Sequence, residues 1–502
     1  MKKTVFFMML LLLVSKFSGL MRMMVISSSF GSGYLSDIYN AALIIPGTFI
    51  SIALSGINTA LVPTLSNAER EGEKDDFFQM FLSLGIIVSL ILILLIIIFA
   101  PWLVRVVVHG YKGQKFLEIV KYTRFLSFMA GLQLVTYIFV GYLQQNNRFY
   151  IAAAIAIPMN FIIILGLLIG NSNSLLLLVI LTIVGYISQL IFVMIPFLKE
   201  KYKYKFSIRL KDKYLKSFIA LIIPIVITTS AGQINVIVDG TLASSLKEGS
   251  LTLINYSGIV FNVFVSVVIL SFSTVIFTKQ SSLSGEENRH ELCTFTKNNL
   301  SHVLFIIVPI LIGVLFFSNE VISILFVRGK FTIEDGQIAG QILFFYSFAL
   351  ISVTVKEILS KFFFAIGDSK VTMWPTFITI GANIVLNFIL VEIIGIYGLP
   401  IASSIASYIG MAVMYYLANK HFKKENVAIM SLSFIKYSIS GFIMLFVMLL
   451  IKYLTPVLSL GMYVYIVIVG VIGCLVYFVV LYYLQTQELF EIISVVKSKL
   501  KR

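Results

Sequence analysis

The sequence predicts an all-α polytopic membrane protein: fourteen transmembrane helices, arranged as two parallel six-helix lobes followed by two C-terminal helices. Three observations carry this. The chain is 59% hydrophobic and only 12% charged, with apolar runs such as Leu82 to Val108 that suit hydrocarbon rather than a soluble domain. Its basic residues alternate from one set of loops to the other, which sets a topology. Finally, the chain repeats itself. Val107-Val108-His109-Gly110-Tyr111, a polar hinge, an apolar span and Gln145-Asn146-Asn147-Arg148 recur as Phe326-Val327-Arg328-Gly329-Lys330, a hinge, a span and Gly367-Asp368-Ser369-Lys370. A shorter echo links Asn58-Thr59-Ala60-Leu61-Val62 through Ser66 with Ser273-Thr274-Val275-Ile276-Phe277 through Ser281. Such duplication is the pattern of transporters that bind substrate between related halves.

Taken in order, the apolar spans cover about 4–27, 36–65, 77–106, 119–143, 149–169, 174–197, 215–244, 251–278, 299–327, 337–366, 371–393, 398–418, 434–455 and 459–483, each long enough for a helix to cross hydrocarbon with its backbone bonds closed internally. The first begins like a secretory signal, with Lys2-Lys3 before Phe6 to Val14. Lys16, the lack of an A-x-A-like site and the apolar pattern resuming through Ile26 predict that it is retained. Residues 1–197 form the first lobe and 215–418 the second, joined by a basic linker at 198–214. Each lobe has an even number of spans, so both enter the membrane in the same orientation. Residues 419–502 hold the two unpaired spans and a tail, Glu488 to Arg502, whose alternation of apolar and basic residues suits either the membrane interface or a frayed end of the last helix. No loop exceeds about 25 residues, which leaves no room for an aqueous catalytic domain.

A net charge of +15 raises the question of nucleic acid, but the basic residues follow topology instead. Lys2-Lys3, Arg70, Lys74, Arg148, the Lys199 to Lys216 run, Lys279, Arg289, Lys297, Lys370, Lys420, Lys423, Lys424 and the Lys497 to Arg502 tail fall on one side. Ser27 to Ser36, Asn171-Ser172-Asn173-Ser174, Gly395 and Thr455 fall on the other, with a few basics around Lys112, Lys115, Lys247 and Arg328. Both termini are therefore expected in the cytoplasm. Cys293 and Cys474 lie in different segments, so neither a disulfide framework nor a metal centre is expected.

Nothing resembles an enzyme's site. His109, His290, His302 and His421 sit at loops or span ends, and there is no paired-carboxylate constellation and no glycine loop for ATP. A transporter without a cofactor is expected, driven by an ion gradient, the membrane potential or the substrate's own gradient. Charges inside spans mark functional candidates. Lys16 and Arg22 flank Gly19 in the first span and project about 120° apart on an ideal helix, so both border one cavity only if it is broad or the helix bends near Ser18-Gly19; snorkelling to the interfaces is the alternative, above all for Arg22. In the tenth span Glu357 and Lys361 stand at i, i+4 in the favourable order for a pair, which leaves Lys356 to face an anion. Lys121 and Arg124 at the head of the fourth span suit either a phosphate or interfacial anchoring. Asp239 is a lone carboxylate in the seventh span; Asn383 and Asn387 share a face of the eleventh, and Ser403 lies on the twelfth. Their hard oxygens suit Na⁺, while a lone carboxylate suits H⁺ and buried asparagines also serve as interhelical glue.

The chain resembles the MurJ/MviN lipid II flippases of the multidrug/oligosaccharidyl-lipid/polysaccharide exporter superfamily. The resemblance rests on Ser15-Lys16-Phe17-Ser18-Gly19-Leu20-Met21-Arg22, Phe30-Gly31-Ser32-Gly33 through Asp37, Ile45-Pro46, Ala60-Leu61-Val62-Pro63, Ala243-Ser244-Ser245-Leu246-Lys247-Glu248-Gly249-Ser250 through Asn255-Tyr256, Arg328-Gly329-Lys330-Phe331-Thr332 and Gly367-Asp368-Ser369-Lys370. It implies a cavity between two lobes, alternating access and a lateral groove at the last two helices for a polyprenyl tail. It also implies Lys16 and Arg22 as diphosphate contacts, Asp37 as the acidic position opening the second helix, and Asp239, Asn383, Asn387 and Ser403 as a cation site for Na⁺ or H⁺. Ser51 and Ile259 stand where the family pattern has arginines. The expected substrate is lipid II, with another polyprenyl-diphosphate oligosaccharide of the capsule or O-antigen type as the alternative. Less favoured are a cation-coupled drug antiporter and a non-transporting scaffold. The expected setting is the bacterial cytoplasmic membrane, with a monomer, its lipid-linked substrate and the bilayer as partners and no nucleic acid.

Overall fold

The structure, a computed structural model, describes residues 2–170, 174–200, 202, 204–430, 433–454 and 461–500. Asn171 to Asn173, Thr455, Lys201, Lys203, Lys501 and Arg502, which entered the topology argument, lie outside the described residues. Eighteen α-helices run in order: α1 (Lys2–Phe30), α2 (Tyr34–Arg70), α3 (Lys74–Val107), α4 (Gly113–Gln145), α5 (Phe149–Ala154), α6 (Ala156–Gly170), α7 (Leu175–Leu198), α8 (Lys213–Ser244), α9 (Ser250–Phe264), α10 (Leu270–Ser282), α11 (Arg289–Phe326), α12 (Ile333–Ser347), α13 (Ala349–Ala365), α14 (Met373–Ile394), α15 (Gly398–Lys424), α16 (Ser433–Leu454), α17 (Met462–Tyr483) and α18 (Gln487–Leu500).

Twelve helical stretches are long and apolar enough to cross a membrane, and α12 with α13, bent by 41°, makes a thirteenth. The stretch Ser369–Lys424 counts once among the twelve, yet it doubles back: Gly395, at φ +60°, ends α14 and α15 returns along it. That left-handed backbone is where glycine escapes the Cβ clash. The described residues thus hold fourteen spans, in the order expected. Besides the bent α12–α13 span, three are irregular: α5 and α6 share one, α9 and α10 are joined by a π-helical turn at Val265–Ile269, and α11 kinks at Phe317.

The chain forms two compact units, Met1–Asn255 with Phe326–Thr332, and Tyr256–Leu325 with Ile333–Arg502. In the first, α2 packs along α4, α8 and α3. Near the start of α3 an aromatic cluster closes the helix ends: Phe78 lies 4.3 Å from the Tyr142 ring and 5.7 Å from that of Phe197, and Tyr202 meets Phe78 edge-on at 5.5 Å. Tyr202 is part of the basic linker. Its hydroxyl donates to the Asp75 carbonyl at 2.9 Å, Arg148 pairs with Glu200, and Lys213 with Glu71, so this linker is docked rather than loose. Asp212 then caps α8, accepting from the Tyr214 and Leu215 amides at 2.8 and 3.2 Å.

In the second unit α14 and α15 form a tight hairpin, α13 packs on α15, and α16 pairs with α17 around buried Phe362, Phe363, Phe422, Tyr437 and Tyr477. The tail forms α18, distinct from the last span. Its first turn is anchored by Glu488, which accepts from Ser301 Oγ at 2.5 Å. Burial works to raise this carboxyl, but hydrogen bonds from Ser301, the helix backbone and Tyr437 outweigh it and hold Glu488 below the usual range.

Phe78→Ala should lower the thermal midpoint of the detergent-solubilised protein markedly, since truncating a fully buried phenylalanine costs about 3 to 5 kcal/mol. A midpoint within a degree of wild type would deny the cluster that role.

Candidate functional site

Asp37 occupies the first turn of α2, where the helix dipole favours a carboxylate. It is fully buried, and everything around it donates. Oδ2 accepts from Tyr111 Oη at 2.9 Å, Lys115 Nζ at 3.1 Å and the Gly249 amide at 2.9 Å. Oδ1 accepts from Thr252 Oγ1 at 2.9 Å and the Thr252 amide at 3.3 Å. One turn along, Asn40 Nδ2 donates to Thr252 Oγ1 at 3.1 Å. Burial first, and then the neighbouring Asp37 charge, push the Tyr111 phenol upward, so it stays a donor. Lys115 lies 4.1 Å above the Tyr111 ring. One carboxylate thereby ties α2 to the α3–α4 loop and to the turn between α8 and α9. Asp37, expected from the resemblance at an acidic position and grouped with the substrate contacts, is saturated by protein donors here.

Beside it the duplicated loops make a seam of bare backbone. A Cβ at Gly110 would stand 2.4 Å from the Ser244 carbonyl oxygen, and one at Gly329, which has φ +58°, 2.2 Å from that of Ser28. Only glycine lets backbones meet this closely. The Gly110 amide donates to Ser244 Oγ at 3.2 Å, and the Lys330 amide to the Ser28 carbonyl at 2.9 Å. Ser28 ends the first span and Ser244 the seventh, its counterpart in the repeat. Each half's glycine loop therefore seats on the end of the other half's leading helix, all within the first compact unit.

The two basic residues of α1 part company, as six residues on one helix require. Lys16 is exposed, with no ion pair among the described residues. Arg22 turns inward. Its Nη1 reaches Met159 Sδ at 3.9 Å and Nη2 reaches Met23 Sδ at 4.0 Å, while Nε is buried with no hydrogen-bond partner among the described residues. Thioether sulfur is a weak acceptor, so this guanidinium keeps its capacity for an anion. Around it lies a polar interior: Asn160 Nδ2 donates to Ser18 Oγ at 2.8 Å, Gln133 Nε2 to Gln189 Oε1 at 2.7 Å, and Tyr39 and Thr182 share a 2.9 Å bond. These residues were missed, although a polar side chain alone in an apolar span is the same signal that singled out Asp239.

In α13 Lys361 pairs with Glu357 at 3.3 Å, and Ser273 Oγ donates to the same carboxylate at 3.1 Å. Lys356, half-buried, makes no ion pair among the described residues. Asn387 Nδ2 donates to Asn383 Oδ1 at 3.0 Å, and Asn383 Nδ2 to Ser403 Oγ at 3.1 Å, one buried chain across the α14–α15 hairpin. Asp239 lies half-buried on α8, in the other compact unit. Four residues before it, Asn235 Oδ1 is buried with no partner among the described residues, a second oxygen near Asp239 on the same helix face that was also missed. Ser51, standing where an arginine was expected, bonds the Gly47 carbonyl at 2.9 Å, and Ile259 is half-buried. Lys121 and Arg124 line a groove between α3 and α4.

The model of the family described as "Lipid II flippase MurJ" matches residues 26–472. The chain belongs to the lipid II flippase MurJ family. A probable lipid II flippase MurJ of Thermotoga maritima is 27% identical over 82% of this chain and 84% of its own, and one of Rickettsia prowazekii is 23% identical over 82% of each. A solved lipid II flippase MurJ in an inward closed conformation shares the fold, with a TM-score of 0.81 at 23% identity over 94% of this chain and 97% of its own. So does an inward-facing multidrug resistance MATE family transporter of the MOP superfamily, at TM-score 0.71 and 14% identity over 82% of this chain and 95% of its own.

Asp37→Asn should destabilise the protein by about 3 to 5 kcal/mol, because it strands a nearly buried Lys115 beside a neutral amide. Lys115→Met on that background should recover part of the loss in a double-mutant cycle of thermal unfolding; strict additivity would mean that the pair does not interact.

Proposed function

We propose that this chain moves lipid II, a polyprenyl-diphosphate-linked sugar and peptidoglycan precursor, from the inner to the outer leaflet of the bacterial cytoplasmic membrane. Family membership over nearly the whole chain carries this reading. Arg22 supports its chemistry: a diphosphate supplies the strong acceptors that the guanidinium lacks among the described residues. The barrier to be removed is desolvation, since neither the charges nor the hydroxyls of the head enter hydrocarbon unaided. A cationic path through protein removes it while the tail stays in lipid, at a lateral groove by α16 and α17.

Transport proceeds by alternating access between lobes at 1–197 and 215–418, with both termini cytoplasmic and the protein acting as a monomer without catalytic activity or cofactor. In that topology the Asp37 seam lies at the outer face. Five donors must leave one carboxylate before this end opens, and water then takes their place. Lys16 extends the cationic path on α1, and Lys356 is a further candidate contact within the second unit. A second reading, another lipid-linked oligosaccharide of the capsule or O-antigen kind, is favoured by Ser51 and Ile259, which make the path less cationic than the family pattern.

In a strain depleted of its lipid II flippase, the wild-type gene should restore growth. Arg22→Ala and Lys16→Ala should each impair rescue at near-normal expression, with Lys16→Arg milder. Rescue by the double alanine variant would remove the first helix from diphosphate binding, and failure of the wild type would favour the second substrate.

Ion coupling is proposed for Asp239 and for the Asn383–Asn387–Ser403 chain, whose hard oxygens suit Na⁺. Na⁺ should raise the thermal midpoint of the wild type but not of Asp239→Asn or Asn387→Ala. A response to pH with none to Na⁺ would instead assign Asp239 to proton carriage.

A further inference from the structure

Pro101 sits inside α3 and has no N–H to give the carbonyl four residues back, so Ile97 loses its helical donor. Arg124 of α4 supplies one: its Nε donates to the Ile97 carbonyl at 3.1 Å. This bond holds the guanidinium in the groove between the two helices, and its Nη nitrogens make no ion pair among the described residues. Lys121, one turn earlier on α4, lines the same cavity of about 370 Å³, whose other walls include Ile97, Leu117, Phe125 and Phe128. About two turns further along α3, Arg105 lies 5.7 Å from the Phe116 ring and lines a second cavity of about 330 Å³ with His109, Tyr111 and Lys112. The nearest acid along α4, Glu118, lines neither cavity and accepts from Gln114 Nε2 at 3.3 Å.

These cations lie toward the end of the bundle opposite the N-terminus, where the positive-inside rule keeps basic residues few. They stand among side chains that no protein covers: Trp102 and Ile98 on α3 are each 63% exposed and Leu117 on α4 66%. An apolar groove that faces lipid and holds fixed cations is complementary to one kind of molecule, an acidic head on an apolar tail. We propose that the α3–α4 groove binds an anionic phospholipid of the outer leaflet, its phosphate on Arg124 and Lys121 and its acyl chains along Ile98, Trp102 and Phe125, with Arg105 adding to the local positive potential. The leaflet rests on the topology proposed above; the site does not. Tyr111, which lines the second cavity, also donates to Asp37, so an occupant there borders the seam.

The test is native mass spectrometry and thermal unfolding of the full chain in detergent with phosphatidylglycerol or phosphatidylcholine. Wild type should retain phosphatidylglycerol about tenfold better than phosphatidylcholine, since fixed cations near a head group favour the lipid with net negative charge. Arg105→Gln with Lys121→Gln should bring the ratio close to one while leaving the midpoint in phosphatidylcholine unchanged. Pro101→Ala restores the amide that competes for the Ile97 carbonyl and should weaken the preference severalfold while stabilising the helix. Equal retention of the two lipids by wild type, an undiminished preference in the double variant, or the same midpoint rise with inorganic phosphate alone would each overturn the proposal. None of these outcomes bears on lipid II transport, which the complementation assay reads separately.

Discussion

A single buried carboxylate organises the end of the bundle on which the first compact unit closes. Asp37 has no exposure to solvent and accepts hydrogen bonds from an ammonium, a phenol, a hydroxyl and two backbone amides. Desolvating a carboxylate is costly enough that such a site exists only when nearly every lone pair is met. Meeting them requires three separate chain segments to arrive together, which the glycine seam permits by letting backbones approach to distances that a Cβ forbids. The same arrangement is suited to opening. Its bonds are polar and exchangeable for water, unlike an apolar plug of equal area.

Deeper in the same unit the design differs. Arg22 lies half-buried against thioether sulfur rather than against a carboxylate, so its charge meets no ion-pair partner among the described residues. A membrane protein tolerates this only where the charge serves a ligand or a water-filled path. In α13, by contrast, Glu357 neutralises Lys361, and only Lys356 is left outside an ion pair among the described residues. The helices thus carry two kinds of intramembrane charge, one ion-paired and one without an ion pair among the described residues, and burial alone does not separate them.

The irregular helices follow a common logic. Pro101 removes an amide from α3, and a residue of the adjacent helix takes the abandoned carbonyl. Gly395 turns α14 back so that Asn383, Asn387 and Ser403 meet across the hairpin. In hydrocarbon no water repairs a broken backbone bond, and at Pro101 a side chain of the neighbouring helix takes its place.

The sequence by itself determined the class and the order of the fourteen spans, because crossing hydrocarbon imposes a length, a composition and a charge asymmetry that are local and additive along the chain; the family was legible only through the resemblance of particular motifs. It also marked Lys16, Arg22, Asp239, Asn383 and Asn387 as unusual, since a polar residue in an apolar run is visible without coordinates; Asp37 entered only through the family resemblance. What each one touches was decided only by tertiary structure. Helical spacing separated Lys16 from Arg22, but only packing against α6 brought the Met159 sulfur to Arg22. Asp37 looked like a residue awaiting a ligand, and five donors from segments distant in sequence had already claimed it. Gln133, Asn160, Gln189 and Asn235 passed unnoticed because a lone amide carries no charge, and its meaning lies in the partner another helix brings or fails to bring.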